Sequence, residues 1–187
     1  MKSAAQKLVA VTVVSMALLG LGSCALIDPG DPSNLSVGTV IDDKSTALLA
    51  ERQIHDASPE LHDAHIVVTS YNGVVLITGQ VATVALKQTA EAAIKDIRTV
   101  KRIHNEIELA GPTSYIARAN DGSLTTAVKA RLVAEHNVSA DHIKVVTENG
   151  VVYLMGLIRR SESEIAIEVA RNVYGVQRVV TVFEFLD

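Results

Sequence analysis

His65-Ile66-Val67-Val68-Thr69-Ser70-Tyr71-Asn72-Gly73-Val74-Val75-Leu76-Ile77-Thr78-Gly79 is a stretch that the chain writes twice. It returns 77 residues later as His142-Ile143-Lys144-Val145-Val146-Thr147-Glu148-Asn149-Gly150-Val151-Val152-Tyr153-Leu154-Met155-Gly156, with eight of fifteen aligned positions identical. A repeat of that period marks two copies of one small domain, so function belongs to a duplicated module. In both copies Asn-Gly separates two runs of apolar residues, the strongest short-range signal for a β-hairpin. Pairing about Asn72-Gly73 puts Ile66, Val68, Val75, Ile77 and Gly79 on one sheet face, and Ile143, Val145, Val152, Leu154 and Gly156 on its equivalent. That face is the expected core, and its terminal glycine is expected to leave room for a helix.

Outward from the hairpin, each copy reads helix, strand, strand, helix, strand. Leu86, Ala90, Ala93, Ile94 and Ile97 share one helical stripe, as do Ile165, Val169 and Val173 with Ala166 and Ala170. Ser161 and Glu164 have capping-box spacing. The last strands are expected over about 100–109 and 178–186. The first helix of copy two carries Leu124, Ala127, Val128 and Leu132 on one side; copy one has the weaker Thr46, Leu49, Ala50 and Ile54. The expected fold is α+β: two tandem αββαβ domains, each a three-stranded mixed sheet with two helices on one face. The other sheet face holds Val67, Thr69, Val74 and Leu76 in copy one. In copy two it holds Lys144, Val146, Val151, Tyr153 and Met155. Faces this apolar need a cover, either the other copy or an external partner.

The N-terminus carries an export signal. Lys2 and Lys7 precede an apolar run from Leu8 to Leu21, too short for a bilayer span and of signal-peptide length. It closes as Leu21-Gly22-Ser23-Cys24, which resembles a bacterial lipobox; Cys24, the sole cysteine, would be acylated and become the mature N-terminus. With Ala25 next in place of an aspartate, the resemblance implies the outer membrane. Loss of Lys2 and Lys7 leaves 15 basic against 21 acidic residues, a formal charge of −6. No overall basic field attracts nucleic acid, which is not an expected partner. Residues 24–42, with Pro29, Gly30, Pro32 and Gly38, read as a tether spanning roughly 25 Å as a coil. The divisions are then 1–23 signal peptide, 24–42 tether, 43–110 first domain, 111–119 linker beginning Gly111-Pro112, and 120–187 second domain. All four prolines (29, 32, 59 and 112) fall outside the assigned helices and strands.

Two strands closed by Asn149-Gly150-Val151-Val152-Tyr153-Leu154-Met155-Gly156, then an amphipathic helix ending Gly175-Val176-Gln177-Arg178-Val179, resemble the BON domain. Copy one departs at Arg98-Thr99-Val100-Lys101-Arg102, which lacks the glycine. Two such domains behind a lipobox resemble dual BON-domain outer-membrane lipoproteins of Gram-negative bacteria. The resemblance implies a non-enzymatic, lipid-anchored protein facing the periplasm, which binds anionic phospholipid and supports outer-membrane integrity. It further implies a lipid contact on the first helix of the second domain, which begins near Asp121-Gly122-Ser123-Leu124. Leu124, Val128, Leu132 and Val133 are the residues available there for insertion, and Lys129 and Arg131 for headgroups. The alternative is an adaptor for envelope-assembly or cell-wall machinery, presenting an edge strand or open sheet face to a protein partner.

Nothing points to catalysis: there is no nucleophile elbow and no glycine-rich phosphate loop. No cofactor is expected. His55, Asp56, His62, Asp63 and His65 have metal-ligand chemistry. Pro59 and the turn between them favour a solvated loop, and copy two keeps only His142. Arg159-Arg160 reads as an exposed turn.

Overall fold

The computed structural model describes residues 34–186, which belong to one compact unit. Cys24, the signal peptide and residues 25–33 of the tether lie outside them. Domain 1 comprises α1 (Val37–Ala57), α2 (Pro59–His62), β1 (Ile66–Tyr71), β2 (Val74–Val81), α3 (Val84–Ile94), β3 (Arg102–Asn105) and β4 (Glu108–Leu109). Domain 2 comprises α4 (Tyr115–Ala134), β5 (Ile143–Glu148), β6 (Val151–Ile158), α5 (Arg160–Arg171) and β7 (Arg178–Phe185), with a single 3-10 turn at Ala140–His142. The hairpins β1–β2 and β5–β6 are antiparallel, and β2 and β6 each pair in parallel with the last strand of their domain. β3 and β4 keep one register along β2, Ile77 opposite Asn105 and Gln80 opposite Glu108, so they are one strand interrupted at Glu106-Ile107.

The inward faces are those read from the repeat. Ile66, Val68, Val75 and Ile77 pack with Ala50, Ile54, Ala90 and Ile94 in domain 1. Ile143, Val145, Val152 and Leu154 pack with Leu124, Val128, Leu132, Ala166 and Ala170 in domain 2. The second faces cover each other: Val74 and Leu76 meet Val151, Tyr153, Met155 and Val182, with Tyr71 and Val146 alongside. The molecule is therefore two sheets back to back with the helices outside. Polar contacts follow a pseudo-twofold relation. The Asn72 amide donates to Glu184 (2.8 Å), and Asn149, its counterpart, donates to Glu108 (3.3 Å). Gln80 donates to the buried Glu148 carboxylate (2.7 Å), which also faces His65.

Several expectations are corrected. Ser36 caps α1 and Ser114 caps α4, so both helices begin about six residues earlier than the hydrophobic pattern shows. Residues 37–42 are helix, not tether, and 115–119 are helix, not linker. Asp121 is not the start of its helix, and Asp43 is not the start of the first domain. Each lies buried one to two turns in and clamps the hairpin of its own domain. Asp43 accepts from the backbone N–H groups of Asn72 and Gly73 and from the Ser70 hydroxyl; Asp121 accepts from the N–H groups of Asn149 and Gly150. The two asparagines hold positive φ, so their turns present these donors together. Leu49 is exposed and Ala127 faces solvent. Gly79 and Gly156 admit not a helix but the backbone carbonyl of His65 and of His142, against which any Cβ would press. Pro59 opens a short helix instead of a loop. The carboxylate capping α5 is Glu162, not Glu164; it accepts from the Arg159 N–H (3.0 Å) and the Ser139 hydroxyl (2.8 Å).

Copy one's missing glycine has a physical counterpart. In domain 2, Gly175 at φ 98° lies against the Leu124 side chain. At the same places domain 1 has Thr99 and Thr46, whose hydroxyls are joined at 2.6 Å. A polar tie replaces an apolar contact.

Candidate functional site

The six residues predicted to meet lipid do not form one surface. Leu124, Val128 and Leu132 are 9%, 0% and 1% exposed and belong to the domain 2 core, so none can insert into a membrane. The cause lies in their spacing: the stripe that reads as an apolar face is the one α4 needs to cover its own sheet. Val133 is exposed on the opposite side. Lys129 reaches the cleft between the domains, beside Lys44 and Lys144. Arg131 lines the groove between α4 and α5, whose other wall carries Glu164 and Glu168.

A different surface stands out at the N-terminal half of α4. Here the helix, the Asn149-Gly150 turn and the loop before β7 enclose a cavity of about 520 Å³. Asp121 and Leu124 form its floor, and Tyr174 and Gln177 stand on its loop side. Tyr174 projects fully into solvent, held out by the Gly175 turn. Ile116 and Tyr115, in the first turn of α4, are also largely exposed. Ile116 shares a side of the helix with the cavity residues Asn120 and Ser123 by i+4 and i+7 spacing. Arg118 stacks over the Tyr115 ring at 4.4 Å from its centre.

The electrostatics of this helix are one-sided. Its charged residues are Arg118, Asp121, Lys129 and Arg131, and Asp121 is buried with its oxygens bound to the hairpin. The solvent face of α4 thus carries cations and no free carboxylate, in a chain that is acidic overall. The early cap at Ser114 is the signal that could have found Tyr115 and Ile116. Tyr174 could have been found as an aromatic placed just before a glycine turn.

The histidine cluster is dispersed. His55 lies in α1 and His62 in α2, their rings 6.0 Å apart and edge to face, whereas His65 turns to Glu148. Among the described residues, no group of three or more His, Cys, Asp or Glu could hold a metal ion. Arg160 stacks on the Phe185 ring at 4.4 Å.

The BON domain family model matches residues 42–111 and again 120–187. The chain belongs to the BON-domain family. Both BON copies fall on the two hairpin-and-helix units described above. Over 171 residues the chain is 33% identical to "Outer membrane lipoprotein DolP" of Haemophilus influenzae, covering 91% of this chain and 88% of that one. It is 36% identical over 162 residues to the "21 kDa hemolysin" of Actinobacillus pleuropneumoniae (85% and 81% covered). It is 28% identical over 152 residues to "Osmotically-inducible protein Y" of Escherichia coli (80% and 75% covered). The alignment covers most of each relative's length. No helix among the described residues is long and apolar enough to cross a membrane.

Proposed function

We propose that this protein is an outer-membrane lipoprotein, anchored through acylated Cys24 and facing the periplasm. Its second BON domain binds anionic phospholipid and so supports outer-membrane integrity. It works by binding, without catalysis. The observation that carries the reading is the solvent side of α4 and its neighbouring loop. Tyr174 stands exposed at an open cavity, and Tyr115 and Ile116 are exposed in the first turn of the same helix, whose free charges are all positive. Aromatic side chains with a polar tip suit the headgroup boundary, and Arg118, stacked on Tyr115, offers a phosphate contact from the same helix. The lipobox at Leu21–Cys24 and the similarity to an outer-membrane lipoprotein support the anchor. The adaptor reading loses one of its surfaces, because the two apolar sheet faces are turned towards each other.

The test is co-sedimentation of residues 34–187 with vesicles containing phosphatidylglycerol, compared with purely zwitterionic ones. Tyr174→Asp and Ile116→Asp alter exposed positions and leave the core intact, whereas Leu124→Asp would place a charge in it. Selective binding that weakens with salt and falls at least fivefold in the two variants is expected. Equal binding to both vesicle types, or indifference to both variants, overturns the reading.

A further inference from the structure

The outward face of α1 in domain 1 has its own apolar stripe. Val37, Ile41 and Leu48 are 66%, 57% and 67% exposed, and with Lys44 they recur at i, i+4, i+7 and i+11, one line down the helix. The side that faces the sheet carries Asp43, Thr46, Ala50 and Ile54 instead. The outer line is thus separate from the side that packs on the sheet, and neither the fold nor the packing of the two domains covers it.

The position of the stripe in the chain indicates its occupant. Cys24 lies thirteen residues before Val37, a separation of at most about 45 Å even for fully extended chain. The most exposed N-terminal part of α1 is therefore the folded segment held closest to the anchor. A surface too small to bind vesicles by itself is held beside one at high effective concentration.

The charge beside the stripe fits the same occupant. Lys44 leads into a cleft of about 280 Å³ between the domains, where Val40, Lys129 and Lys144 also line the wall. Lys144 donates to the Ser70 carbonyl at 3.2 Å, and among the described residues no carboxylate comes within ion-pair distance of these three lysines. Two acids line the same cleft. Asp43 is bound to the hairpin turn, and Asp141 sits beside His142. An apolar line with lysines at its margin matches acyl chains below anionic headgroups.

We infer that α1 forms a second membrane contact: Val37, Ile41 and Leu48 rest in the interface of the anchoring membrane, and the Lys44–Lys129–Lys144 cleft receives a lipid phosphate. The inference rests on acylation of Cys24, and it is separable from the contact proposed for domain 2.

The chain has no tryptophan, so a single introduced one reports its own surroundings. The full-length lipidated protein carrying Leu48→Trp, with Ile41→Trp as an independent second probe, is reconstituted in phosphatidylglycerol-containing vesicles with brominated acyl chains. At least twofold quenching of the Leu48→Trp emission is expected, and adding Lys44→Glu should remove half of it or more. Tyr174→Trp reads the domain 2 surface separately. Quenching there but at neither α1 probe overturns the α1 contact and leaves the domain 2 reading standing. A blue shift at Leu48→Trp that follows protein density without bromine quenching assigns the stripe to a second copy and overturns the inference. Flotation with no quenching at any probe overturns both contacts. Failure to float removes the anchor, and the inference with it.

Discussion

The first helices of the two domains, α1 and α4, are built alike on the inside and unlike on the outside. Aligned by their buried aspartates, Asp43 and Asp121, the inward residues Thr46, Ala50 and Ile54 stand where α4 has Leu124, Val128 and Leu132. Outside, Ile41, Leu48 and Glu51 stand where α4 has Ala119, Thr126 and Lys129. One helix shows a central apolar line; the other shows small residues with cations there and carries its large exposed apolar side chains at its two ends, Tyr115 and Ile116 in the first turn and Val133 in the last. Arg98 likewise occupies the place of Tyr174. The interior is constrained by one packing problem solved twice, whereas the outer surfaces met different demands. Function is therefore to be sought where the copies disagree.

The sharpest way to break the comparison is at the shared interface. Leu76 and Tyr153 occupy equivalent places between the sheets, and both are buried. Tyr153→Ala should cost about 4 kcal/mol and Leu76→Ala about 3 kcal/mol in urea unfolding, each acting on both domains at once. Next come the aspartate clamps. Asp43→Ala removes the acceptor for three hydrogen bonds and should cost about 3 kcal/mol; Asp121→Ala removes two and should cost about 2 kcal/mol. Equal losses would mean that the Ser70 contact contributes nothing.

A smaller effect tests whether the two domains hold interchangeable solutions. Thr99→Gly leaves the buried Thr46 hydroxyl without its partner and should cost about 1 kcal/mol. Thr46→Leu combined with Thr99→Gly installs the arrangement of domain 2, and a double-mutant cycle should show coupling of about 1 kcal/mol.

The mildest prediction concerns alkaline pH. Burial pushes the phenols of Tyr71 and Tyr153, both in the sheet-to-sheet layer, up to about 12 from an ordinary 10. Folded values above unfolded ones mean that this stability is intact below pH 10 and is lost as pH rises towards 12. Circular dichroism followed between pH 9 and 12 should show unfolding in that window, and Tyr71→Phe with Tyr153→Phe should move it upward.

Much of this architecture was legible because the Asn-Gly hairpins and their alternating flanks fix which face is inward. Ile66, Val68, Ile143 and Val145 could be placed from pattern alone, and so could the apolar second face that the sheets turn to each other. The helix starts were not legible, for a specific reason. The first inward residue of α1 and of α4 is a carboxylate, so hydrophobic periodicity begins only after Asp43 and Asp121, and the turns before them look like linker. The same blindness moved the candidate site onto Leu124, Val128 and Leu132: pattern shows which residues form a stripe, but not whether the stripe faces the sheet or solvent. Tyr174 belongs to no periodic segment and was invisible to that reading.

The back-to-back sheets have one further consequence. A single domain of this kind would expose an apolar sheet face and would need a second molecule to cover it, so its assembly would follow mass action and fail on dilution. Here the covering partner is encoded downstream in the same chain, joined through a few residues around Gly111-Pro112. Pairing is first order and independent of how densely the protein populates a surface. A solitary copy is as completely assembled as a crowded one, and its outward faces remain available at any abundance.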